Sequence, residues 1–353
     1  MINRRRKLPR SAGLSLIELL IALGIGAFLM LGVVSVFIAT KSSSTAEASL
    51  ANIQNNGRLA IDLISQDIRK AHYSGCNSVG GIVDLIATGV TFEGVRGFSR
   101  AASDGAWSPD VPVALAIGAT NGRRGSDMVN IQMATSLGKN ILAADINAND
   151  DEATLTSNPG CEIKQNDLII VSSCLSAHLV KVTNAIVCNS EEDDITLEFK
   201  SPGNIASSVE PGYRYGDPSE LMRYESVSWY VADTGRDQFE QDVYALYRSS
   251  NGVAEEMVEG VEYIKFEFGQ KVGNQMRYVP ASDVNIDWNE VSTMRVAFLI
   301  QGFDSLRNDI DSEPYELLNT VVSASGDGAH SGGRVLRKVF TTTATLRNTD
   351  YEI

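Results

Sequence analysis

The stretch Leu14–Thr40, LSLIELLIALGIGAFLMLGVVSVFIAT, constrains this chain more than any other, because Glu18 is its only ionisable side chain. A helix rises about 1.5 Å per residue, so roughly 20 apolar residues cross the ~30 Å hydrocarbon core of a bilayer. This run is longer than that. The segment before it, MINRRRKLPRSAG, holds Arg4, Arg5, Arg6, Lys7 and Arg10 and no acid. Cations flanking a membrane segment stay on the cytoplasmic side, so residues 41–353 are expected on the other side of the membrane. A cleavable secretory signal has an apolar core of about 7–15 residues that ends in a small-residue cleavage site. Here the apolar run goes on much further and continues into VFIATKSSS, so removal after it is not expected.

The junction on the cytoplasmic side reads Gly13 followed by Leu14-Ser15-Leu16-Ile17-Glu18. It resembles the type III signal of type IV prepilins and pseudopilins. That resemblance implies that a membrane-embedded aspartyl prepilin peptidase cuts after Gly13, methylates the new amine of Leu14, and leaves the apolar run as the first half of a long helix. The chain departs from the major-pilin pattern in having Leu rather than Phe at Leu14, and in having no helix-kinking Pro in the run. Glu18 falls on the fifth mature position. A carboxylate in hydrocarbon costs on the order of 3 kcal/mol on insertion scales and usually has a partner or a task. Glu18 is therefore expected to pair with the positive N-terminal amine of a neighbouring subunit. The plainer alternative is that it is tolerated in the first turn, beside the positive end of the helix. Gly24, Gly26 and Gly32, with Ala22 and Ala27, are small enough to admit a second helix closely.

Beyond the apolar run, Ala46, Leu50, Ile53, Ala60, Ile64, Ile68 and Ala71 recur at three- and four-residue spacing, the pattern of one helix face. The intervening KSSSTAE has neither Pro nor Gly, so the two parts are expected to form a single helix of about 55 residues, ending with Gly75 as its C-cap. A linker followed by a separate helix is the alternative. Gly57 inside it costs about 1 kcal/mol against Ala.

After Cys76 the period changes. MVNIQM (128–133), LIIV (168–171), LVKVT (179–183) and ITLEF (195–199) read as strands. SVSWYV (226–231) and VYALYR (243–248) read as hairpin arms around a polar DTGRDQFEQD loop, with further strands at 261–268, 293–300 and 336–346. The economical topology is an antiparallel meander. Gly- and Ser-dense stretches at 80–125 and 323–333 read as loops. A Pro- and Gly-rich stretch at 201–217 either divides this part into two β-lobes or joins two layers of one.

The chain carries a formal charge of −14; without the leader cations, 25 basic residues face 44 acidic ones. A surface of that sign repels nucleic acid and anionic lipid headgroups. Cys76, Cys161, Cys174 and Cys188 all lie beyond the membrane segment, where they can oxidise. Three pairings are open; bridges 161–174 or 174–188 would close loops of about 15 residues, worth about 3 kcal/mol in the chain-entropy model. No CxxC-like spacing suggests a metal. His72, His178 and His330 sit in no ligand or catalytic motif, and GxSxG, P-loop and dinucleotide fingerprints are missing. The acidic run Asp145–Glu152 lacks the turn glycine and bidentate Glu of a calcium loop. It reads as solvated, as does Glu191-Glu192-Asp193-Asp194.

GRLAIDLISQDIRKAHYSGC, DLIIVSSC, WYV, ALYR, VEGVEYIKFEFG, VSTMRVAFLI and ATLRN together resemble the PilW-type minor pilins. The resemblance implies an α+β, pilin-like fold, a long helix on an antiparallel β-rich head. It implies residues 1–13 as a cytoplasmic leader, 14–40 as a transmembrane assembly helix, 41–75 as its amphipathic continuation and 76–353 as a periplasmic head. The implied function is structural and non-enzymatic: a minor pilin that helps prime pilus assembly, moving from the inner membrane to the pilus, at its tip. Its partners would be other minor pilins, the major pilin and prepilin peptidase, with no nucleic acid, cofactor or small-molecule substrate. A type II secretion minor pseudopilin is the alternative within the superfamily. From another class, a signal-anchored periplasmic enzyme or binding protein would keep its leader and carry a polar-lined pocket. An adhesin role for the head is compatible with the pilin reading.

Overall fold

The computed structural model describes residues 15–348 apart from 77–81, 88–90, 116–121, 138–141, 143–144, 148–149, 156–162, 187–193, 206–214, 216–218, 239–240 and 308. Gly13 and Leu14, Cys161 and Cys188, the acidic residues 191–193 and most of 201–217 lie outside the described residues.

One helix, α1 (Leu16–Lys70), runs unbroken for 55 residues. Ser15 caps it by accepting the Glu18 backbone N–H at 3.2 Å, the first half of a Ser-x-x-Glu capping box. The serine-rich segment stays helical, and Thr45 turns its hydroxyl back onto the Lys41 carbonyl at 3.0 Å. Arg69 and Lys70 occupy the last turn, where cations complement the helix dipole. The helix ends at Ala71 and not at Gly75. His72 takes the left-handed conformation (φ 63°) and donates its N–H to the Gln132 carbonyl at 3.1 Å. A tertiary hydrogen bond to the sheet thus replaces the expected glycine cap, and Gly75 (φ 83°) serves a later turn.

The strands, in chain order, are β1 (Val83–Asp84), β2 (Val95–Arg100), β3 (Trp107–Ser108), β4 (Asp127–Ser136), β5 (Glu152–Leu155), β6 (Leu168–Ser172), β7 (Ala177–Lys181) and β8 (Ile195–Glu198). There follow β9 (Glu220–Gln238), β10 (Gln241–Ser250), β11 (Val253–Glu259), β12 (Val261–Val272), β13 (Gln275–Val279), β14 (Val291–Gln301), β15 (Tyr315–Leu317), β16 (Thr320–Val322) and β17 (Arg337–Thr345). With α1, they make an α+β, pilin-like fold.

The larger sheet has nine strands, in the order β1-β7-β6-β9-β4-β2-β3, with β10 on β9 and β11 on β10. It is not the expected meander. Strand β9, 19 residues long, is its spine: Met222 and Arg223 pair with both β6 and β4, and Val227–Tyr230 pair with both β4 and β10. One edge of β9 therefore takes β4, and the other takes β6 and β10 in succession. The polar residues expected as a hairpin loop continue β9 as far as Gln238. β1 and β7 are parallel, unlike the other pairs of this sheet. Strands from both sides of 201–217 share it. β11, unsignalled by alternation, follows Asn251-Gly252, both at positive φ (48° and 87°), the backbone that a tight hairpin turn demands and that Asn-Gly supplies.

A four-stranded antiparallel sheet, β13-β12-β14-β17, lies against the larger one. A single apolar core joins both to α1: Ile53, Ile64 and Ile68 from the helix, Val129, Ile131, Val227 and Trp229 from one sheet, and Phe266, Phe268, Val296 and Phe298 from the other. A separate apolar cluster sits under β5–β8, with Leu155, Val171, Val180 and Leu197. His178 is fully buried, edge-on to Tyr215.

Cys76 and Cys174 form a disulfide across 98 residues, which overturns the short-loop bridges since both would need Cys174. The helix exit and the end of β6 meet here, with Ser172 and Met222 against Gly75. Closing a loop of about 100 residues is worth about 4.7 kcal/mol in the chain-entropy model, against about 3 for 15.

Buried charge is handled in one network. Arg337 Nε donates to Glu262 at 2.7 Å and its Nη1 to Asp311 at 2.9 Å, while Arg123 Nη2 reaches Glu262 at 3.3 Å. The Arg337 and Glu262 side chains have no exposure. Burial pushes the Glu262 pKa upward, but the guanidinium groups of Arg123 and Arg337 outweigh it and hold the carboxyl below its usual range. Breaking such a pair costs about 3–5 kcal/mol by stranding the partner charge. A Glu262→Gln variant should lose about 3 kcal/mol in denaturant unfolding at pH 7. Because the folded-state pKa is depressed, the wild-type advantage is complete above the unfolded value near 4.3 and fades as pH falls further, through the folded one. An undiminished gap at low pH would refute the assignment.

Candidate assembly interface

The two halves of α1 live in different surroundings. From Leu16 to Ile38, sixteen large apolar side chains are each 50–79% exposed, on all sides of the helix. Ser35 and Thr40 turn their hydroxyls onto the Gly32 and Val36 carbonyls at 2.8 and 2.9 Å, so this half presents little unsatisfied polarity. A helix apolar all round belongs in lipid or among other helices. At about 1.5–3 kcal/mol per large apolar side chain, leaving this one in water is prohibitive. It is the one helix among the described residues long and apolar enough to cross a membrane.

Glu18 sits in the first turn with its carboxylate exposed and without an intramolecular partner among the described residues. Its backbone N–H is spent on Ser15. Gly24, Gly26 and Gly32 have open space where a side chain would be.

The second half of α1 is welded to the head. It packs on β17, β14, β11 and β4 through Ser49, Ile53, Gly57, Ala60, Ile64 and Ile68. The expected face is correct from Ile53 onward but slips at its start: Leu50 is 41% exposed and Ser49 is buried in its place. The cause is close approach, because Ser49 and Ile53 lie over Gly302 in the chain following β14. Gly57 likewise faces Phe340 of β17, whose ring would lie 2.6 Å from an added Cβ. The glycine that weakens the isolated helix thus lets it seat on the sheet. Asp67, 5% exposed, accepts the Trp229 indole N–H at 3.0 Å and Arg248 Nε at 2.8 Å. These contacts clamp the last helical turn to β9 and β10. Asn348 donates to the Ala71 carbonyl at 3.0 Å from the far end of the chain.

Two matches to known families fall at the two ends of this arrangement. Residues 229–348 match the family model described as type IV pilus-assembly protein W, and residues 8–34 match the prokaryotic N-terminal methylation motif. Together the two matches support a type IV pilin-like protein. No curated protein and no solved structure matches it. The PilW match opens on Trp229 and takes in Arg248, Gly302 and Phe340, the head's share of the helix seat. The methylation motif covers Glu18 and the exposed apolar half as far as Val34. The matched parts are the start of the apolar rod and the surface of the head that receives its second half.

His178 and His330 are buried, and His72 is partly buried. Of the Asp145–Glu152 run, Asp150 spends its Oδ2 on the backbone and side-chain N–H groups of Asn147 at 2.8 and 2.9 Å. Asp67, Trp229 and Arg248 lie in stretches that carry the family resemblance, but the sequence does not show that they meet. An acid on the apolar side of an amphipathic helix is the signal that marks Asp67.

Two substitutions probe the weld. Gly57→Leu should destabilise the protein by about 2 kcal/mol through overpacking against Phe340. Asp67→Ala should cost about 2 kcal/mol by stranding Arg248 and the Trp229 indole, less than a fully buried pair because Arg248 is a quarter exposed. Denaturant unfolding of detergent-solubilised protein checks both; wild-type midpoints would show that the helix is not seated this way.

Proposed function

We propose that this protein is a minor pilin: a non-catalytic subunit of the type IV pilus that helps prime pilus assembly. Prepilin peptidase cleaves it after Gly13 and methylates Leu14. Residues 1–13 are then the leader, 14–40 the membrane and assembly segment, 41–75 its amphipathic continuation and 76–353 a periplasmic head. The single observation that carries this reading is the helix itself, continuous from Leu16 to Lys70, bare and apolar for its first half and locked to the head for its second. Such a rod is held by lipid before assembly and by sibling rods afterwards, so the head moves with it as one body. Other minor pilins and the major pilin are the partners that supply those rods.

Glu18 gives the rods a register. Its carboxylate, at the membrane-facing start of α1 and without a partner among the described residues, is a partner for the N-terminal amine of an adjacent subunit, a pairing strengthened by low dielectric. The capping box supports the plainer role of starting the helix, but it uses the Glu18 backbone and leaves the carboxylate free. The large β-rich head would crowd a closely packed shaft, which favours the pilus tip. The match to a pilus-assembly family favours a pilus over a secretion pseudopilus.

Mass spectrometry of the mature N-terminus is the direct test. Protein from cells with prepilin peptidase should begin at N-methylated Leu14, and protein from cells without it at Met1; a Met1 start in both would defeat the proposal. Glu18→Ala should leave the membrane level of the protein unchanged while reducing surface pili severalfold, and normal piliation would remove Glu18 from the assembly role.

A further inference from the structure

The face of the larger sheet turned away from α1 carries a polar floor that the pilin role does not use. Alternation along β4 sends Val129, Ile131 and Met133 into the core and Asn130 and Gln132 to the opposite face. Pairing then aligns one row across four strands: Arg96 of β2 opposite Asn130, Asn130 opposite Ser228 of β9, and Ser228 opposite Ser249 of β10. Gln132 and Ser226 form the next row. These residues line a cavity of about 360 Å³, closed at its sides by Phe98, Pro112 and Leu115 and by Leu168 and Tyr224. That volume is within the range of small-ligand sites.

The floor is buried yet incompletely satisfied. Asn130, Ser228, Ser249 and Gln132 are 1%, 2%, 3% and 8% exposed. Asn130 Nδ2 donates to Ser226 Oγ at 2.8 Å and Ser228 Oγ at 2.9 Å, which fixes the amide and leaves its Oδ1 without a partner among the described residues. Gln132 Oε1 accepts the Glu93 N–H at 2.8 Å, which leaves its Nε2 free to donate. Arg96 Nη1 holds both Glu93 oxygens at 2.7 and 2.8 Å, while its buried Nε has no hydrogen-bond partner among the described residues. Polar atoms in that state on a cavity wall call for an occupant that both donates and accepts.

The surroundings narrow its chemistry. Among the described residues the ionised lining groups are Glu93, Asp167, Arg96 and Arg223, two of each sign, with Glu93 already on Arg96, so no net charge there selects an ion. Burial lifts the Tyr224 phenol to a pKa of about 12, so it too stays neutral. A polar floor excludes a purely apolar ligand. The floor strands are paired on both edges, so no peptide can add as a strand. An aldose ring matches what remains, with hydroxyls that donate and accept and C–H faces for the Phe98, Leu115 and Tyr224 flanks.

We propose that this pocket binds a neutral saccharide, one pyranose unit seated over Asn130, Gln132 and Ser249. The proposal stands independently of the assembly role and would give the head a glycan-recognition function. The strand pattern of β4 and β9 reads as ordinary alternation, and only the register places these polar side chains in one patch under cover.

The test uses the full chain in a detergent without a sugar headgroup. Saturation-transfer NMR and calorimetry are run with neutral methyl hexopyranosides and N-acetylhexosamines, with glucuronate and glucosamine as charged probes and an extended peptide as control. At least one neutral sugar should bind more tightly than every charged probe and the peptide. Asn130→Leu and, separately, Ser249→Leu should each weaken it about tenfold or more. Thermal melting establishes that each variant is folded; if Asn130→Leu is not, Ser249→Leu and Gln132→Ala decide. No binding of any neutral sugar, tighter binding of a charged probe or the peptide, or undiminished binding in folded variants overturns the proposal.

Discussion

Hydrocarbon-length apolar surface that the protein's own head never covers is the constraint on which the rest of this structure depends. A globular protein normally buries its most apolar helix; here the sixteen large apolar side chains between Leu16 and Ile38 remain bare, and the hydrophobic effect is left to act between molecules. The helix can afford that exposure only because its backbone is internally satisfied from the Ser15 cap onward. The chain leaves α1 at His72, captured by the Gln132 carbonyl, where the non-helical part of the molecule begins.

The remainder of the fold holds that rod at one angle. Gly57 and Gly302 bring α1 close to Phe340 and to the chain after β14, and Asp67 fastens its last turn to Trp229 and Arg248. The Cys76–Cys174 bridge ties the segment just past the helix to the end of β6, and the Glu262–Arg337–Asp311 network stiffens the strands behind it. Helix and head therefore behave as one lever, which suits the proposed assembly role.

Much of the core was legible before the fold was known. The spacing Ile53-Ala60-Ile64-Ile68 marks the docked face, and the apolar runs of β4, β6, β9, β10, β12 and β14 lie where alternation puts them. The misses have physical causes. Leu50 looks buried by period, but Gly302 draws Ser49 inward instead. Gly75 looks like the cap, but a hydrogen bond from the sheet ends the helix at Ala71. The meander fails because one strand, β9, is long enough to pair with β6, β4 and β10, a choice made by long-range packing that local pattern does not encode. Asp67 was passed over because a helical acid carries no mark of its partners, which lie 162 and 181 residues away.

Local chemistry alone thus determined the rod: its length, its apolar circumference, its capped start with Glu18 in the first turn, and the resemblance to pilins, since each is a property of contiguous residues. Tertiary structure decided the rest: which cysteine Cys76 meets, which face of the head receives α1, and that Arg96, Asn130, Ser228 and Ser249 share one row. Those outcomes depend on strand register between distant segments, and a sequence read along its length carries no measure of which distant segments will lie side by side.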